Sequence, residues 1–161
     1  MIAVFDSSAW IFLSKLGLIE PALSLFNKAI LPYSVQEEIA GRNDEAFSAL
    51  KRLQESSRVE IVRAKSSRFV NALRRRLGKG ESEAIVVALD TDADFVILDD
   101  HAARSIAIQL GLGVKGTLGI IRKLMELGAY KSDLKVLYES LRGIGFWVKE
   151  NLFWEIFSDF E

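Results

Sequence analysis

Phe95-Val96-Ile97-Leu98-Asp99-Asp100 is the stretch on which the fold turns. Four consecutive apolar residues form a run too short for a buried helix, so they read as a strand covered on both faces. Two carboxylates follow immediately, at what would be its C-terminal end. On one side lies an apolar helix, Glu81 to Leu89, opened by Gly80; on the other a helix runs from Ala102 to Leu110 and stops at Gly111. A buried strand between two helices is the unit from which parallel sheets are built.

The same alternation extends in both directions. Ile2 to Phe5 is a short apolar run closed by Asp6, with Ser7-Ser8 placed to cap the next helix. Helical spacing covers Ala9 to Leu16 and Ile19 to Asn27, broken at Gly17. Ala29 to Pro32 reads as a second strand ended by its proline. Ser34, with Glu37 three residues later, has a capping-box pattern. A helix through Ala46, Leu50 and Leu53 stops at Ser56-Ser57, and Val59 to Val62 reads as an edge strand. A basic helix spans roughly Ser66 to Leu77 and ends at Gly78. Past Gly111, a short strand at Gly113 to Gly116 leads to a helix capped by Thr117 and closed by Gly128. A helix near Leu134 to Leu141, a brief strand at Phe146 to Val148 and an aromatic C-terminal helix complete the chain. The prediction is one domain over residues 1–161, an α/β three-layer sandwich with a mainly parallel central sheet.

Composition narrows the chemistry. With 50% hydrophobic and 27% charged residues the chain is globular rather than disordered. No apolar run approaches the roughly 20 residues that span a bilayer, and no secretory leader is evident in MIAVFDSSAW, so a cytoplasmic protein is expected. Cysteine is absent and His101 is the single histidine, which excludes thiolate and multi-imidazole metal sites. A metal held here is held by oxygen, which favours Mg²⁺ or Mn²⁺. His101 itself, at a helix start, reads as a simply exposed side chain.

The net charge of −1 conceals a segregation. Seven basic residues and no acid lie between Arg63 and Lys79, and seven acids and no base between Glu81 and Asp100. Runs of this kind are often solvated faces. The functional reading makes Arg68, Arg74, Arg75, Arg76 and Lys79 a phosphate-holding, RNA-binding edge beside an acidic centre.

Ligands of parallel α/β sheets bind at the C-terminal strand ends, so Asp6 and Asp99-Asp100 are predicted to converge. Single carboxylates there often act as helix caps. Several together are costly to bury unless a cation neutralises them. Glu38 lies between the apolar Val35 and Ile39, nearer the buried face than Glu37. Glu81 shares a stripe with Ala84, Ile85 and Ala88, and is therefore a better inward-facing acid than Glu83, which stays a candidate. No phosphate-binding G-x-x-x-x-G-K-[ST] loop occurs. A phosphotransfer receiver, which also gathers aspartates at strand ends, would need an acidic pair near the first strand that this chain lacks.

Taken in order, these elements resemble the PIN domain: Asp6 after the first strand, Glu38 in Pro32-Tyr33-Ser34-Val35-Gln36-Glu37-Glu38-Ile39, an acid opening a helix, and Asp99-Asp100 after an apolar strand. Leu77-Gly78-Lys79-Gly80-Glu81-Ser82-Glu83-Ala84-Ile85, Leu98 to Arg104 and Gly116 to Ile121 are similar to a branch found mostly in archaea and bacteria. The resemblance covers roughly Met1 to Gly128. It implies Mg²⁺- or Mn²⁺-dependent cleavage of RNA by a VapC-like toxin, with an antitoxin partner and a homodimeric state. Carried over by position, Asp6, Glu38, Glu81 and Asp100 form the catalytic, metal-binding quartet, with Asp99 competing for the last place. Gly80-Glu81-Ser82-Glu83 departs from the commonest toxin pattern, where an aspartate opens the helix. Ser8 and Arg104 are secondary candidates, more suited to capping and to a structural ion pair. The alternative is a PIN-fold domain without cleavage that binds RNA or a protein partner.

Overall fold

A computed structural model describes all residues, 1–161. Five strands, β1 (Ile2–Phe5), β2 (Lys28–Pro32), β3 (Glu60–Val62), β4 (Phe95–Ile97) and β5 (Gly113–Lys115), form one sheet in the order β3-β2-β1-β4-β5. Every pair is parallel, so the expected sandwich has a wholly parallel sheet. Between and after the strands come α1 (Ser7–Lys15), α2 (Ile19–Leu23), α3 (Tyr33–Ala40), α4 (Glu45–Glu55), α5 (Ser67–Leu73), α6 (Lys79–Asp90), α7 (His101–Gln109), α8 (Thr117–Glu126), α9 (Leu134–Gly143) and α10 (Glu150–Ile156). A 3-10 turn, Ser158–Phe160, ends the chain.

The sheet divides the core because successive strand residues face opposite ways. Ala3 and Phe5 of β1 join a larger cluster with α1, α4, α8, α9 and the C-terminal aromatics Phe146, Phe153 and Phe157. Val4, between them, joins Ile30, Val96 and the inner faces of α6 and α7. In the larger layer Trp10 is fully buried, and its indole N–H is satisfied by the Ala46 carbonyl at 3.1 Å.

Several local readings change. The brief strand expected at Phe146 to Val148 is irregular backbone: β5 is the last strand, and Phe146 is instead drawn into the helical layer. The basic helix is shorter than expected, since α5 ends at Leu73 and Arg74 to Arg76 lie in the turn before α6. Ser34 does not cap α3. That helix begins a residue earlier, at Tyr33, and the amide of Ser34 donates to Glu83 Oε2 on α6 at 3.1 Å. Thr117 likewise lies inside α8, whose start is held by Asp99. Gly111 and Gly128 do end their helices, at φ +83° and +69°, where a side chain would be strained. No helix is long and apolar enough to cross a membrane.

Candidate active site

The strand order reverses between β1 and β4: β2 and β3 lie to one side of β1, and β4 and β5 to the other. Such a reversal leaves a crevice beyond the strand ends, because the following helices pack on opposite faces. Phe5 pairs with Ile97, so Asp6 leaves β1 one residue out of step with Asp99 beyond β4, close enough for their charges to interact at that crevice.

Asp6 is the most enclosed acid of the group, 3% exposed. Its amide donates to the Ile97 carbonyl at 3.2 Å, fixing the backbone, while its Oδ1 is buried without any hydrogen-bond partner. Burial pushes this carboxyl up to about 7. The Ser7 amide opposes the shift, and the charges of Glu81, Glu38 and Asp99 reinforce it.

Glu38 and Glu81 reach the same place from α3 and α6. Glu37 and Glu38 are both exposed; what sets Glu38 apart is its direction. A Cβ built on Gly80 would lie 3.3 Å from Asp6 Oδ1 and 3.7 Å from Glu38 Oε2, so both carboxylates crowd one bare stretch of backbone. Glu81 stands at the third position of α6, where its Oε2 accepts from the Gly78 amide at 3.1 Å. Desolvation raises its pKa, the Gly78 amide lowers it, and Asp100 and Glu38 raise it further. Glu83 is the more buried of the two, 8% exposed, but its carboxylate serves the start of α3.

The two carboxylates after β4 have different tasks. Asp99 accepts from the Thr117 amide at 2.7 Å and from the Thr117 hydroxyl at 2.6 Å, binding the end of β4 to α8. Burial raises its pKa, while Thr117 and the charge of Arg104 restrain it. Asp100 is exposed and caps α7, accepting from the Ala103 amide at 2.9 Å. Arg104 makes no ion pair: its guanidinium donates to the Leu98 carbonyl at 2.8 Å.

An open cleft of about 1060 Å³ borders this centre, lined by some of its acids but not by Asp6 or Glu38. Glu81, Asp99, Asp100, Arg104 and Ser8 line it, and so do Lys115 and the C-terminal segment from Phe146 to Lys149. Sequence reasoning did not single out Lys115 or Lys149. Trp147 was visible only as one of a set of aromatics. Arg68, Arg74, Arg75, Arg76 and Lys79 are exposed and form no ion pairs, but none lines the cleft.

A sequence model of the PIN domain family matches residues 2–161. The chain belongs to the PIN-domain family. The match runs well past Gly128, where the motif resemblance fades, and takes in the C-terminal helices. No match was found among curated proteins. PIN domains are in general metal-dependent nucleases, and this one has the nuclease fold. Its donors suit a hard divalent cation: all are carboxylate oxygens, and Asp6 Oδ1 is a buried oxygen in need of a partner. No three of these carboxylates are drawn tightly enough together to chelate a cation as they stand. Asp99, Asp100 and Glu81 are turned to backbone amides.

Proposed function

We propose that this PIN domain is an endoribonuclease dependent on Mg²⁺ or Mn²⁺, and that it is the VapC-like toxin of a toxin–antitoxin pair. The observation that carries the reading is Asp6 Oδ1, buried and unpartnered beside Glu38, Glu81 and Asp99 at the crevice between β1 and β4. A cluster of this kind holds a proton or a cation, and a cation held here would serve phosphodiester hydrolysis. Asp6 and Asp100 are the residues proposed to hold the metal, with Asp99 the competitor of Asp100. Glu38 and Glu81 hold it too or orient water around it. When bound, the metal lowers the pKa of a water and neutralises the charge that develops on the phosphate oxygens.

The protein's own part is positional. Asp6 is fixed by its backbone and must lose its proton before it can serve. Glu38 and Glu81 flank it as hydrogen-bond acceptors able to align an attacking water. Arg104, its guanidinium anchored on Leu98, offers remaining N–H groups to a phosphate in the cleft. Arg68, Arg74, Arg75, Arg76 and Lys79 would hold more distant phosphates. Exposed Ile108 and Leu110 near the end of α7 suit a homodimer interface, and an antitoxin would cover the cleft. With cellular RNA as substrate, the activity belongs in the cytoplasm.

One observation favours a second reading, a PIN domain that binds RNA or protein without cutting: the carboxylates are engaged with amides rather than closed into a chelate. A single experiment separates the two. Purified protein, Asp6→Asn and Asp100→Asn are incubated with mixed single-stranded RNA in Mn²⁺, Mg²⁺ or EDTA. Metal-dependent cleavage lost in both variants supports the nuclease. Binding without cleavage in any metal supports the second reading.

A further inference from the structure

The C-terminal aromatics are not equivalent. Phe146 is 9% exposed, and Phe153 and Phe157 are fully buried, whereas Trp147 is 75% exposed. An indole left this open forgoes one of the largest burial gains any side chain can make. Trp147 is nevertheless held in place. Phe146 before it packs edge-on against Phe12, with ring centres 5.0 Å apart and planes at 89°, and Val148 after it packs on the same core. The result is a flat aromatic on a fixed backbone, lining the cleft that also contains Glu81, Asp99 and Asp100.

Cations share its cleft. Lys149 and Lys115 line the same cleft, and the Arg142 guanidinium lies 5.6 Å from the indole centroid. A polyanion approaching an acidic centre needs such counter-charges, because carboxylates repel phosphates. The cleft volume of about 1060 Å³ slightly exceeds the roughly 300–1,000 Å³ range of small-molecule pockets, enough for more than one base.

We propose that Trp147 is a base-stacking platform for single-stranded RNA, with Lys149 and Lys115 taking the flanking phosphates. The proposal rests on the nuclease reading for the identity of the strand, and it specifies where that strand lies: along the C-terminal wall of the cleft. Every base has a π-face, so this platform grips any sequence.

The test is fluorescence anisotropy of a labelled short single-stranded oligoribonucleotide in EDTA, with circular dichroism of each variant as a folding check. Stacking on one aromatic is worth about 1–3 kcal/mol per base, so Trp147→Ala should weaken binding roughly 5- to 150-fold. Trp147→Phe should recover most of that loss, and Lys149→Ala should weaken binding and flatten its salt dependence. RNA should also quench the tryptophan fluorescence of the unmodified protein, and not that of Trp147→Ala. Equal binding by the unmodified protein and Trp147→Ala would overturn the proposal and leave the indole for a protein partner. No oligonucleotide binding by the unmodified protein would overturn it as well. Absence of cleavage with binding still sensitive to Trp147 would sink the nuclease reading and leave the platform standing.

Discussion

Gly80 stands against Asp6. The space that a Cβ at residue 80 would take lies 3.3 Å from Asp6 Oδ1, closer than side chains ordinarily sit, and 3.4 Å from a methyl of Val35. Gly80 is the second residue of α6, where alanine gains less over glycine than the roughly 0.5–1 kcal/mol of a helix middle. Gly80→Ala should therefore leave thermal stability unchanged or raised, while displacing Asp6 and Glu38. Cleavage should fall about 10- to 100-fold, the scale of a misplaced catalytic group. Activity assays paired with thermal melts check it, and a stable, fully active variant would remove Gly80 from the site.

The raised pKa of Asp6 makes the metal-free protein sensitive to pH. The unfolded chain releases this proton near 3.8 and the folded protein near 7. Between those values the folded state binds more protons, so this contribution to stability, present at low pH, is lost as pH rises through about 7. Its size is on the order of a few kcal/mol. In EDTA, Asp6→Asn should melt higher than the unmodified protein at pH 8, with the two converging below pH 4. Mn²⁺ should raise the melting temperature more at pH 8 than at pH 5, since it competes with the proton.

Asp99 holds α8 through Thr117. Thr117→Val removes the hydroxyl donor and keeps the amide bond, whereas Asp99→Ala removes both. The first should cost about 1 kcal/mol and the second somewhat more, because the start of α8 also loses its acceptor. Urea titrations measure both. If Asp99 also holds the metal, Asp99→Ala will lose cleavage and Thr117→Val will keep most of it.

The exposed arginines give a salt test. Replacing Arg74, Arg75 and Arg76 by alanine should weaken RNA binding and lower the slope of log K against log [salt], by about 0.7 for each phosphate that is no longer neutralised. An unchanged slope would make this run a solvated surface.

Much of this molecule was legible in its sequence because its central strands are buried on both faces. Phe95 to Leu98 and Ile2 to Phe5 have no polar residue to blur the reading, and the acids that end them mark the crevice. The different surroundings of Asp99 and Asp100 were not legible, since they depend on Thr117, eighteen residues on, reaching back to Asp99. Nor was the role of Glu83: its partner, the Ser34 amide, belongs to another helix. Local propensity suggested that Ser34 and Thr117 cap their own helices, and in both cases a distant carboxylate took the position. The aromatic segment at Phe146 to Val148 has the composition of a strand, but Phe146 finds Phe12 instead of a sheet edge.

The strand order has a consequence for when the centre exists. β1 is flanked on both sides, and of its two neighbours β4 comes far later in the chain than β2. Until β4 docks, Asp6 sits at an open sheet edge, wetted, with Asp99 elsewhere and an ordinary hold on its proton. A partly folded chain thus has an unassembled centre, and the activity proposed for this domain waits on the closing of the gap between its first strand and its fourth.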